Sequence, residues 1–186
     1  MNIYAIALFV HIAGALGLFV ALGLEWAGLW QIRSAMTLEL VRAGMGILKN
    51  VRKFGFASML TTVITGIYLT VAFWGGVAWI YATLGSLVLV MALAQVVTAP
   101  RMAAIGQALF TEKGSFSKPV HSLANHPLLW ISIQTRSALA LGIVFLKIAK
   151  PDLGGSLLTI GIAIVIGLAS ILPVSRRERA GESSAD

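Results

Sequence analysis

Apolar residues run along this chain in five long blocks, separated by short polar or glycine- and proline-containing stretches. A helix that crosses a bilayer needs about 20 mostly apolar residues. The blocks of that length are Ile3–Ile32, Phe54–Trp74, Val77–Ala99, Pro127–Leu146 and Leu153–Pro173. Gly75-Gly76 divides the second from the third, and Pro100 is expected to end the third, because proline lacks an N–H and crowds the preceding turn. The pattern predicts an all-α fold: a polytopic membrane helical bundle with five transmembrane helices. One domain is expected over residues 1–174, followed by a polar tail over 175–186.

The connections are of two kinds. Gly75-Gly76 and Lys147–Asp152 are short, so the helices they join should form antiparallel hairpins. The other two are longer. Leu38, Val41, Met45, Leu48 and Val51 fall at helical spacing with cations between them, and Met102, Ile105 and Leu109 repeat the pattern after Pro100. Both stretches read as amphipathic interfacial helices lying on an anionic inner leaflet; the alternative is that one docks a partner protein.

Charge then orients the bundle. Arg33, Arg42, Lys49, Arg52, Lys53, Arg101, Lys113, Lys118, Arg176, Arg177 and Arg179 lie on one side, Lys147 and Lys150 on the other. Cytoplasmic loops carry the excess of Lys and Arg, so the N-terminus should face outward and the C-terminus the cytoplasm, in a bacterial inner membrane. Tyr4, Trp74, Trp79 and Tyr81 then fall at the outer boundary, and Trp26, Trp30 and Trp130 towards the inner one.

Composition narrows the classes further. Hydrophobic residues make up 58% of the chain and charged residues 11%, against roughly 25% charged in average soluble domains. A net charge of +7 on so apolar a chain is a record of topology and points to no nucleic-acid partner. There is no cysteine, so disulfides, thiolate metal sites and covalent haem attachment are excluded. No phosphate-cradling glycine loop, nucleophile elbow, HExxH motif or pair of intramembrane carboxylates occurs, and no catalytic residue is assigned. The first block lacks a basic flank and exceeds the roughly 7–15 apolar residues of a cleaved leader.

Small residues mark where helices could approach: Ser58, Thr62 and Gly66 in the second block, Ala163 and Gly167 in the fifth. The first block carries the stripe His11, Gly14, Leu18, Ala21, Glu25 and Gly28. Its two ionisable groups therefore share the face expected to point inward.

The polar residues inside the blocks hold most of the chemistry. Arg136 sits within the fourth block, with only ten residues from Ser137 to Leu146 beyond it. It is expected near mid-bilayer, at a cost of roughly 2.5–3.5 kcal/mol. Glu25 is the sole acidic residue in a span, at a similar depth, and the two are expected to pair. Gln95, Gln134, Ser132 or Thr135 could complete a buried polar network. Such a pair either only fixes helix register or forms a site for an anionic group such as a haem propionate, or for a quinone or lipid headgroup; alternatively Glu25 lies at the inner headgroups and Arg136 has another partner. His11 is the one histidine in a span. It could bind a haem b or copper through its imidazole, or simply bond a neighbouring hydroxyl or carbonyl. Met59 and Met91 lie at the wrong depth to be its axial mate. His121 and His126, five residues apart, lack a metal-binding spacing and read as loop histidines.

Three stretches resemble a group of small bacterial membrane proteins: LFVHIAGALGLFVALGLEW, TTVITGIYLTVAFWGGVAWIYATLGSLVLV and ALGIVFLKIAKPDLGGSL. They are similar to the first helix, the second–third hairpin and a Lys-Pro-Asp stretch of copper-resistance-D-like proteins, HemJ-type protoporphyrinogen oxidases and related uncharacterised members. The resemblance implies haem or copper at His11. It also has a departure. HemJ-type enzymes carry a lysine early in the third helix, where this chain reads Tyr81-Ala82-Thr83-Leu84-Gly85, so protoporphyrinogen oxidation is not expected. Two functions follow. One is a non-catalytic structural or accessory subunit of a larger membrane assembly, with protein partners or as a homo-oligomer. The other is a haem- or copper-binding membrane protein, His11 towards the metal and Arg136 towards an acidic group, in electron transfer.

Overall fold

The computed structural model describes residues 2–111 and 122–170, and every element among them is helical. The helices are α1 (Ile3–Arg33), α2 (Leu38–Leu69), α3 (Ala78–Ala92), α4 (Ala99–Thr111), α5 (Pro127–Ala149) and α6 (Leu153–Ala169). Four helical stretches are long and apolar enough to cross a membrane: Ile3–Arg33, Leu38–Trp74, Ala78–Phe110 and Ser122–Ala149. The fifth apolar helix, α6, has 17 residues. Lys113, Lys118, His121 and the tail over 175–186 lie outside the described residues.

Two boundaries differ from the sequence expectation. The stretch read as a separate interfacial helix is the first half of α2. Thr37 caps it by accepting from the Leu40 N–H at 3.3 Å, and the helix runs unbroken to Leu69. The apolar stripe is buried against α1 and not left to a lipid surface: Leu38, Val41 and Leu48 join Leu29 and Ile32 in one core cluster. Glycine permits this approach. A Cβ on Gly28 would fall 2.7 Å from Leu48 Cδ2, and one on Gly44 would fall 2.7 Å from Ile32 Cγ1. Further along, Gly14 faces Ser58 and Thr62, and Gly17 faces Ser58. The small-residue stripes of α1 and α2 are thus one interface, the most extensive between any two elements among the described residues.

The second difference is at Pro100, which does not end its helix. A π-helical turn over Leu93–Thr98 joins α3 to α4. The wider turn absorbs the missing N–H and the crowding ring, which a regular α-turn cannot. A matching π turn over Thr70–Trp74 ends at Gly75, whose φ is 69° and whose N–H donates to Thr70 O at 2.8 Å.

The turn between α5 and α6 is built by Lys-Pro-Asp. Lys150 takes the left-handed conformation (φ 46°) and its N–H donates to Leu146 O at 2.9 Å. Pro151 cannot continue the helix, and Asp152 caps α6 by accepting from the Gly155 N–H at 2.8 Å. His126 caps α5 ahead of Pro127, its Nδ1 accepting from the Leu128 N–H at 3.3 Å. The two helices then run antiparallel, with Gly167 against Thr135. The main core joins α1, α2, α4 and α5, and a smaller cluster of Val90, Leu139 and Ala163 ties α3 to α5 and α6.

Candidate functional site

Arg136 is held on the inward face of α5 by the buried residues on either side, Ser132, Ile133, Leu139 and Ala140. Its side chain reaches α1. Nη1 donates to Glu25 Oε2 at 2.9 Å and Nη2 to Glu25 Oε1 at 2.5 Å, a bidentate pair. The side chains are 5% and 19% exposed, so the guanidinium is the more deeply sealed partner. Nε donates to Ser132 O and Nη2 to Thr98 Oγ1, each at 3.4 Å. Thr98 Oγ1 and Ser132 Oγ share a hydrogen bond of 2.9 Å, and Ser132 Oγ also donates to Leu93 O. That last carbonyl lies in the π turn before Pro100.

The network therefore recruits Ser132 and Thr98, not the two glutamines. Gln95 is exposed on a cavity wall and Gln134 is half-buried, and no hydrogen bond joins either to the pair among the described residues. Gln134 is two residues from Arg136, and helical positions two apart do not face each other. Thr135 is buried with its Oγ1 unpartnered.

Helix register sets the height of the pair. Ala21 lies against Gly55 and Gly28 against Leu48, so Glu25 falls level with residues 51–52 of α2. The outward-facing apolar run of α2, Phe54 to Trp74, is about 30 Å long at 1.5 Å per residue. That equals the usual hydrocarbon thickness of about 30 Å. The pair thus lies level with the start of that run, beside Arg52 and Lys53. Trp130 packs edge-on against Trp26 and Trp30 near this level, at ring separations of 6.0 and 5.9 Å.

A cavity of about 1380 Å³ opens beside the pair. Glu25, Gln95, Thr98 and Arg136 line one part, and Arg42, Lys49, Arg52 and Glu39 line another. Four cations thus face two carboxylates. The remaining wall is apolar and includes Met36, Met45, Met59, Met91 and Met102, five of the six methionines in the chain. Methionine is flexible and polarisable and suits a ligand of variable shape.

His11 sits apart, at the other end of α1's inward stripe. It is 8% exposed. Nδ1 lies 3.0 Å from Thr62 O and 3.2 Å from Thr65 Oγ1, and Gly66 leaves room for the ring. Nε2 is 2.5 Å from Lys147 Nζ. Both ring nitrogens are therefore engaged, and a metal at Nε2 would have to displace the lysine. Met59 and Met91 line the large cavity, not the His11 one. No group of three or more His, Cys, Asp or Glu gathers at a metal-binding distance among the described residues. Lys147 is the site residue that sequence reasoning missed. Counted as an outer-loop cation, it is the last basic residue of α5 and turns back into the bundle. Its position eleven residues after Arg136, three turns along one helix face, was the available signal. Compared with protein-family models, curated proteins and solved structures, the chain matches none.

Proposed function

We propose that this multi-pass membrane protein holds an anionic amphiphile, a long apolar tail bearing a phosphate or carboxylate head, in the large cavity between α1, α2, α3 and α4, with Arg136 of α5 at its wall. The observation that carries the reading is the make-up of that cavity: apolar walls rich in methionine, with Arg42, Lys49 and Arg52 on its rim. Glu25 neutralises Arg136, so those three cations, opposed by Glu39, are the charge left for a headgroup. Their height supports the same reading, because they begin where the apolar band of α2 stops. The head would lie among them and the tail among the methionines. The bundle is oriented with the N-terminus outward and the C-terminus in the cytoplasm of a bacterial inner membrane, on the excess of Lys and Arg at the Arg42–Lys53 end.

The test is extraction of the protein purified in mild detergent, with mass spectrometry of what it carries. The wild type should retain a stoichiometric anionic amphiphile through size exclusion. The variant with Lys49→Gln and Arg52→Gln, both exposed positions, should lose it while remaining monodisperse. Bound lipid in the same proportions as the bulk membrane, or equal retention by the variant, would sink the proposal.

A further inference from the structure

The second cavity, about 300 Å³, lies between α1, α2, α3 and α5 towards the Gly75 end. Its walls are mostly apolar, with Leu18, Val63, Ile80 and Leu84 inside and Trp74 and Trp79 at the rim. Its polar lining includes His11, Lys147, Lys150 and three threonines, and His11 meets Lys147 there. Their hydrogen bonds run in one direction. Thr62 O can only accept, so Nδ1 of His11 carries the proton and Nε2 is a bare lone pair. The Thr65 hydroxyl donates to Thr61 O at 2.6 Å, which leaves its oxygen facing Nδ1 as an acceptor too. Lys147 Nζ donates to Nε2. No carboxylate lies within 4.0 Å of Lys147 among the described residues. An amine, a base within hydrogen-bond reach and a third group that orients the base are the parts of an activated nucleophile.

We infer that Lys147 is a nucleophilic amine that condenses with a small apolar aldehyde or ketone in this cavity. The lone pair of the free amine attacks the carbonyl carbon, and the C=O π pair moves to oxygen. One Nζ proton passes through His11 Nε2 to that oxygen, giving the carbinolamine. The second follows the same route as the hydroxyl departs and the C=N bond forms. Both amine protons leave in water, and no oxidant or reductant is consumed. The inference stands apart from the amphiphile reading, since it uses the other cavity.

The test uses the full chain in detergent at neutral pH, with hexanal as the carbonyl probe and cyanoborohydride to fix any imine as a stable amine. Peptide mass spectrometry follows Lys147 and Lys150 in the same sample. Lys150 is the internal comparator: it lines the same cavity, but is exposed and lies over the Trp74 ring at 4.4 Å with no imidazole partner. Lys147 should be alkylated faster than Lys150. His11→Gln should slow Lys147 by about 100-fold, the lower end of general-base contributions, and leave Lys150 unchanged. Glyceraldehyde, which is polar, should abolish the preference for Lys147; this arm needs only the wild type and decides the matter if His11→Gln fails to fold. Equal rates at the two lysines, or the same preference with either aldehyde, would overturn the inference.

Discussion

Glu25→Gln removes the only carboxylate bonded to Arg136 among the described residues and leaves the guanidinium where it is. Besides one bond to the neutral amide oxygen of the new side chain, what remains to it are two contacts of 3.4 Å, to Ser132 O and Thr98 Oγ1. Both are at the long end of hydrogen bonding and neither carries charge. Stripping one partner from a buried ion pair costs about 3–5 kcal/mol, because the other charge is left uncompensated. Glu25 is 19% exposed, towards a cavity, so the loss should fall at the lower end of that range. Arg136→Gln should cost less, since the carboxylate left behind is the more accessible partner. The double variant should lose less than the sum of the two, by about 1–3 kcal/mol, as expected of groups in direct contact. Equilibrium unfolding of the detergent-solubilised protein by sodium dodecyl sulfate gives all four corners of the cycle. Additivity within about 0.5 kcal/mol would refute an energetic coupling between the two side chains, whatever their geometry.

Three further outcomes follow from the packing. A Cβ on Gly14 would lie 2.7 Å from Thr62 Oγ1 and 3.1 Å from two backbone atoms, so Gly14→Ala should destabilise by about 1–3 kcal/mol; Gly23→Ala, with nothing within 4 Å, should stabilise the same helix by about 0.5–1 kcal/mol, and the two melting curves should shift in opposite directions. Asp152→Ala removes the cap on α6 and should cost about 0.5–2 kcal/mol, read as earlier hydrogen exchange at residues 153–156. Trp130 is 7% exposed in the main core, so Trp130→Ala should cost about 3–5 kcal/mol in the same detergent titration.

The helical class was legible because apolar blocks of membrane length leave few alternatives, and the Gly75 turn because glycine reaches the positive φ it needs. Glu25 and Arg136 could be matched because each is the lone ion of its kind in a span, on antiparallel helices. What could not be read were the places where two physical solutions compete for one pattern. The stripe Leu38–Val51 serves a lipid surface or a neighbouring helix equally well, and only the glycines of α1 and α2 decide for the neighbour. Pro100 ends an α-helix but is tolerated after a π turn, and with the helix assumed to stop there, Thr98 was overlooked as a partner of Arg136. Lys147 was assigned to topology because cations near helix ends usually report it. The Lys-Pro-Asp stretch, one carrier of the family resemblance, is fully used by a left-handed residue, a helix stop and a cap, so it reports turn geometry and not a ligand.

Glu25–Arg136 and His11–Lys147 both bridge α1 to α5, fourteen residues apart on α1, or about 21 Å. A helix pinned once can pivot about the pin; pinned twice, it can neither slide along its neighbour nor swivel against it. The two cavities lie beside the two pins, so these act as struts that hold the walls apart where side-chain packing leaves gaps. Drawing Lys147 away from His11 would leave α1 and α5 tied by Glu25–Arg136 and by the ring contacts of Trp130 with Trp26 and Trp30, all towards one end.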